Sequence, residues 1–147
     1  MTLSTLGFLG FGNLASTLFY GFHDWLQHHS IRVIATDQKG ISKDLSIEEV
    51  DSSTLFSTAD LIILAIKPQQ LDAILPVLRD VDWSNRCLLS VLAGTPLSTF
   101  SKTLPTLSHL IRVMPNTAAK FKQSMSVSCA LPSTDPRFMS FIDRLFS

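Results

Sequence analysis

Apolar runs and apolar residues spaced three or four apart take turns along this chain, and the alternation lays out strands and helices in succession. Leu6 to Phe11 is a continuous apolar run that predicts a buried strand, and Leu14, Ala15, Leu18, Phe19, Phe22 and Leu26 then predict a one-faced helix ending near His28. Ile31 to Ala35 predicts a second strand, closed by Thr36-Asp37-Gln38-Lys39-Gly40. Ile41 to Ala59 is polar and mixed, with Ser46-Ile47-Glu48-Glu49 and Ser53 to Ser57 read as short helical turns. Asp60 to Ile66 is apolar on both faces, as a buried parallel strand must be. Pro68 opens a helix to about Leu78, with Leu71, Ile74, Leu75 and Leu78 as its stripe and Pro76 expected to kink it or end it early. Cys87 to Ala93 predicts another strand, stopped by Gly94, and Thr95-Pro96 reads as an N-cap and first helical residue for a helix to about Leu104. Ser108 to Met114 is a strand broken at Pro115-Asn116-Thr117, while Met125 to Leu131 alternates apolar and small polar residues and should lie near an edge. Ser133-Thr134-Asp135-Pro136 starts a last helix whose Phe138, Phe141, Ile142 and Leu145 share a face. The predicted fold is α/β, a doubly wound and mostly parallel sheet with helices on both faces, formed by residues 1–147 as a single domain.

Such sheets take ligands at the carboxyl ends of their strands, and the first strand ends in Gly10-Phe11-Gly12-Asn13-Leu14-Ala15. In this Gly-x-Gly-x-x-Ala turn Gly10 permits a tight bend, Gly12 has no side chain to hold a phosphate away, and Ala15 lets the helix approach the strand. The helix N-terminus brings unpaired N–H groups and the positive end of its dipole, so the turn suits a pyrophosphate without any basic side chain. Asp37 closes the second strand 25 residues after Gly12, near the roughly twenty expected of an acid that meets the adenosine ribose.

Composition narrows the partners. Lys plus Arg equals Asp plus Glu at 12 each, and no basic run tracks phosphates, so nucleic acid is not expected and a small molecule is. Cys87 and Cys129 sit in apolar surroundings without metal-ligand spacing, which predicts buried thiols in a reducing, cytoplasmic setting and no metal site. The longest uninterrupted apolar run, Leu61 to Ile66, is far short of a bilayer span, and no membrane association is expected. Only 16% of residues are charged and the mean hydropathy is +0.28, which fits either a large dry core or an exposed apolar face that self-associates or meets another chain.

Four motifs in order, Gly7 to Ala15, Ala59-Asp60 leading to Leu64-Ala65-Ile66-Lys67-Pro68-Gln69, Ser90 to Gly94, and Arg112-Val113-Met114-Pro115-Asn116-Thr117, resemble the N-terminal domain of pyrroline-5-carboxylate reductase. The resemblance covers essentially the whole chain and implies hydride transfer from NAD(P)H to the C=N bond of 1-pyrroline-5-carboxylate, giving L-proline. It assigns Leu9, Gly10, Phe11, Gly12, Asn13 and Leu14 to the pyrophosphate, and Ala65, Ile66, Lys67 and Pro68 to the ribose and phosphate region. It sets Leu92, Ala93 and Gly94 beneath the nicotinamide and makes Asn116 and Thr117, with Lys67, the candidates for contact with substrate. Read from the residues alone, Lys67 also fits a lysine ending a strand in solvent, and Pro115-Asn116-Thr117 a simple turn. His28 and His29 suit a helix C-terminus better than a ligand role.

The chain departs from the family in three places. Many members carry a small polar residue or an Asn-Arg pair for the NADP 2′-phosphate where Asp37 stands; a carboxylate there favours NAD, whereas the resemblance itself implies NADP and Lys39 could offset the charge. Asn116 to Ser124 lacks the proline and glycines usual there and is bulkier at Lys120, Lys122 and Gln123. The family's C-terminal helical domain, which forms the dimer and most of the substrate pocket, has no counterpart after Ser147, so turnover by this chain is expected to be impaired. The alternative is a non-catalytic NAD(P)-binding module that associates with another chain, or a related reductase acting on another imine or a β-hydroxy acid.

Overall fold

The computed structural model describes residues 3–43, 45–115 and 125–146. Its elements run β1 (Thr5–Leu9), α1 (Asn13–His28), β2 (Arg32–Thr36), β3 (Glu48–Glu49), α2 (Ser52–Thr58), β4 (Leu61–Leu64), a 3-10 turn (Pro68–Gln70), α3 (Leu71–Arg79), β5 (Cys87–Ser90), α4 (Leu97–Thr103), β6 (His109–Pro115), β7 (Met125–Ala130) and α5 (Pro136–Leu145). The strands form one seven-stranded sheet in the order β3-β2-β1-β4-β5-β6-β7. Each neighbouring pair is parallel except β6 and β7, so β7 is an antiparallel edge strand.

Alternate residues of the central strands feed two cores. Leu6, Phe8, Leu61, Ile63 and Leu89 pack with Leu18 and Phe22 of α1 and Phe138 and Ile142 of α5 on one face. Leu9, Ile62, Leu64 and Leu88 pack with Leu55 of α2, Leu75 and Leu78 of α3, and Phe100 of α4 on the other. This is why β4 and β5 read as unbroken apolar runs: burial on both faces leaves no polar side to alternate with. Each fully buried leucine or isoleucine contributes about 2 kcal/mol relative to exposure.

Several expectations need correction. Glu48–Glu49 is the short edge strand β3 rather than a helical turn; the backbone pairs with Ile34 and Ala35 while both side chains stay exposed. Strands β1, β4 and β5 stop at Leu9, Leu64 and Ser90, two or three residues early, because the chain turns there into the loops that follow. Pro76 lies inside α3, which continues to Arg79; the N–H it lacks would have met Asp72 in the exposed first turn. The indole Nε1 of buried Trp83 then donates to the Leu78 carbonyl at 2.8 Å and closes the helix end. Pro96 itself is the N-cap of α4, so the helix starts one residue later than expected. Cys87 is buried and Cys129 is exposed. A register shift between Arg112 and Val113 explains the latter, since it breaks the alternation along β7 that placed Cys129 inside. No helix among the described residues is long and apolar enough to cross a membrane. Among the described residues the large exposed apolar side chains, Tyr20, Val77 and Met114, lie on three separate elements.

Candidate functional site

In this strand order β2 and β4 flank β1, so consecutive connections leave the sheet on opposite sides and open a crevice above the end of β1. Gly10 shapes its floor. Its φ is +89°, and a Cβ on it would stand 2.8 Å from the Ala65 carbonyl oxygen and 2.9 Å from the carbonyl carbon. Its N–H donates to the Thr36 carbonyl at 2.9 Å while Ala65 N–H donates to the Leu9 carbonyl at 2.9 Å, tying the ends of β2, β1 and β4 together.

Phe11 anchors the next step of the loop at both its ring and its backbone. The ring meets Phe8 edge-on at 5.3 Å and Phe19 at 6.2 Å, and the N–H donates to Asp37 Oδ1 at 2.8 Å. Asp37 Oδ2 accepts a second bond, from Lys39 N–H at 3.0 Å. A carboxylate has about four acceptor positions, so two remain for other donors.

Gly12 differs from Gly10 in every respect. Its φ is −88°, an ordinary value for any residue, and no atom lies within 4 Å of where its Cβ would be. It is the N-cap of α1, and no side chain caps that helix; Ser16 Oγ and Thr17 Oγ1 both bond backwards to the Asn13 carbonyl instead. The end of a 16-residue helix therefore presents its first N–H groups to an open space bordered by Gly12, Asn13 and the half-buried Leu14. This arrangement fits an anion such as a pyrophosphate.

Beside it lies an open cleft of about 460 Å³ lined by Leu9, Gly10, Thr36, Asp37, Gln38, Ser52, Ile66, Gln69, Gln70, Ala73 and Ile74. Its walls are apolar at Leu9, Ile66, Ala73 and Ile74, and its polar groups gather at the ends of β2 and of the 3-10 turn. The structure thus brings Leu9, Gly10, Asp37 and Ile66 into one cleft, with Phe11 to Leu14 adjoining it. Lys67 and Pro68 are exposed and do not line the cleft; the Lys67 backbone N–H donates to Gln70 Oε1 at 2.9 Å. Leu92 is buried, and Ala93 and Gly94 are exposed, in the loop after β5 on the far side of β4 from the cleft. Asn116 and Thr117 lie outside the described residues, as does the whole segment 116–124.

Sequence reasoning missed Thr36, Gln38, Ser52, Gln69, Gln70, Ala73 and Ile74. The pair Gln69-Gln70 directly after Lys67-Pro68 was a usable signal, since amides there face the same sheet edge as the Gly-rich turn. No histidine lines the cleft. His29 is the C-cap of α1 and its Nδ1 donates to the Trp25 carbonyl at 2.8 Å, while His109 Nδ1 accepts from Asp135 N–H at 3.0 Å.

Comparisons with known proteins place the chain among reductases. A family model described as NADP oxidoreductase, coenzyme F420-dependent, matches residues 5–94, from β1 to the turn after β5. Pyrroline-5-carboxylate reductase of Pasteurella multocida is 27% identical over all of this chain and 56% of its own length. The enzyme of the same name from Methanosarcina acetivorans is 30% identical over 82% of this chain and 47% of its own. Among solved structures, Plasmodium falciparum pyrroline carboxylate reductase with NADP bound superposes with a TM-score of 0.75 over 99% of this chain and 54% of that one, at 21% identity, and so shares the fold. The chain spans about half the length of the curated relatives it matches. With a match over more than half of its residues, the chain belongs to the NADP oxidoreductase, coenzyme F420-dependent, family.

Proposed function

We propose that residues 1–147 are the dinucleotide-binding domain of a pyrroline-5-carboxylate reductase, acting on a small molecule in the cytoplasm. The observation that carries this reading is the open space over Gly12 at the uncapped N-terminus of α1. A pyrophosphate there would take the N–H groups of the first turn of α1 and the favourable end of its dipole. The adenosine half would occupy the cleft between Leu9, Ile66 and Ile74, with a ribose hydroxyl donating to Asp37. The nicotinamide would then extend across the sheet edge towards Leu92, Ala93 and Gly94, where an exposed glycine offers little bulk.

When bound, NAD(P)H supplies a hydride to the carbon of the substrate C=N bond, and a proton completes the ring nitrogen to give L-proline. The residues of this chain hold and orient; Lys67, exposed at the same sheet edge, and Asn116 and Thr117 are the candidates to meet substrate oxygens. Asp37 favours NADH, because its charge attracts a free 2′-hydroxyl and repels a 2′-phosphate. The match spans about half of the relatives' length, so residues 1–147 taken by themselves are expected to bind cofactor and to turn over slowly or not at all. Titration with NADH, followed by its fluorescence, tests the binding half of this reading, and absence of binding at millimolar NADH would overturn it. Loss of NADH absorbance on adding 1-pyrroline-5-carboxylate tests the catalytic half; binding without turnover, even after joining the chain to the C-terminal half of a relative, would leave a binding module.

A further inference from the structure

Two amides from opposite sides of β1 meet along the wall of the adenosine cleft. Gln38 follows β2 and is exposed; Gln70 ends the 3-10 turn after β4 and is half-buried. They meet with Gln70 Nε2 donating to Gln38 Oε1 at 3.4 Å.

The orientation of Gln70 is fixed by chemistry. The Lys67 backbone N–H points at one end of its side-chain amide at 2.9 Å, and only the carbonyl oxygen can accept that bond. The other end, the amide NH₂, is therefore held as a donor on the side of Gln38, which also lines the cleft. Gln38, in accepting from it, turns its oxygen to the same place. The cleft so carries one locked donor and one acceptor side by side, with apolar lining at Leu9, Ile66, Ala73 and Ile74.

We propose that Gln70 and Gln38 together read the base of the dinucleotide and select adenine. This rests on the dinucleotide reading given above. Adenine presents an amino donor at N6 beside an acceptor at N1, the complement of the pair: N6 donates to Gln38 Oε1 and N1 accepts from Gln70 Nε2. Hypoxanthine presents a carbonyl in place of the amino group and carries hydrogen on N1. Gln38 can turn to suit the carbonyl, but Gln70 cannot turn without abandoning the Lys67 N–H, so donor faces donor.

The test compares binding of NADH and of reduced nicotinamide hypoxanthine dinucleotide to the 147-residue chain by fluorescence titration. Wild type should prefer NADH by about tenfold. In Q70E one carboxylate oxygen still accepts from Lys67 and the other becomes an acceptor at the base, so the preference should fall to parity or reverse; any general effect of the added charge acts on both dinucleotides alike. Q38M, which leaves the locked donor in place, should keep part of the preference. Equal binding of the two dinucleotides to wild type, or an undiminished preference in Q70E, overturns the base-reading pair while leaving the cofactor site standing. Failure of wild type to bind either dinucleotide overturns both.

Discussion

Replacing Gly12 with serine and Gly10 with alanine perturbs the same motif in opposite ways. In G12S the backbone needs no change, since φ is −88°, and the new side chain enters a space with no atom within 4 Å of its Cβ. Serine is also a better N-cap than a residue without a side chain, by a few tenths of a kcal/mol. The melting temperature should stay within about 2 °C of wild type. Binding should not survive so well: the hydroxyl takes up first-turn N–H groups that the pyrophosphate would use, and the Cβ holds the phosphate off. A loss of at least about tenfold in NADH affinity is expected, equivalent to about 1.4 kcal/mol. In G10A the reverse holds. A φ of +89° costs an alanine about 1–2 kcal/mol. Its Cβ would sit 2.8 Å from the carbonyl oxygen of Ala65, whose own N–H is tied to the Leu9 carbonyl while Gly10 N–H is tied to Thr36, so neither backbone is free to move away. Overpacking of that kind adds about 1–3 kcal/mol. The sum, about 2–5 kcal/mol, lowers the melting temperature by roughly 5–15 °C for a chain of this size. Circular-dichroism melts and NADH titrations on both variants give the four numbers required. NADH binding to G12S at wild-type affinity would refute the pyrophosphate assignment, and an unshifted melt for G10A would refute the packing argument.

Three further outcomes are expected. D37N keeps one acceptor for the Phe11 N–H but removes the charge, so paired titrations should show the NADPH-to-NADH affinity ratio rising severalfold; an unchanged ratio would remove Asp37 from cofactor discrimination. W83F deletes the bond to the Leu78 carbonyl and leaves part of a fully buried volume unfilled, at a cost of about 2 kcal/mol in urea unfolding. Asp135 caps α5, and hydrogen bonds from the Arg137 side chain and backbone hold its carboxyl down to about 2 from an ordinary 3.8. Its contribution is therefore fully present above the ordinary value and is lost as pH falls from about 4 towards 2. The stability gap between wild type and D135A should be largest at neutral pH and shrink across that window; a gap that widens in acid would contradict the capping role.

The strongly apolar strands were legible because burial on both faces leaves a continuous signature, as in Leu61 to Leu64, and the helices because one face repeats. Strand β3 was not: two exposed glutamates become a strand only through the backbone of Ile34 and Ala35, which lies outside their own sequence neighbourhood. The exposure of Cys129 likewise depends on how β7 registers against β6, where adjacent Arg112 and Val113 face Cys129 and Val127. At the site, Gly10, Gly12 and Asp37 could be found by spacing, since each serves a local need of the turn or strand end. The meeting of Gln38 and Gln70 could not, because 32 residues separate them and only the placing of β2 and β4 on either side of β1 brings them together.

The packing of α5 on α1 bears on how this domain comes into being. Phe146 meets Phe22 edge-on at 4.9 Å and Phe141 meets Trp25 at 5.3 Å, so the helix that carries the Gly-rich turn is covered by α5 and the residue that follows it. The segment 5–94 that defines the family holds five of the seven strands, yet it leaves that side of α1 bare. During synthesis, then, the C-terminal half of α1 cannot be fully packed until residues 136–145 have left the ribosome, and a nascent chain stalled before them should be an early target for proteases and chaperones.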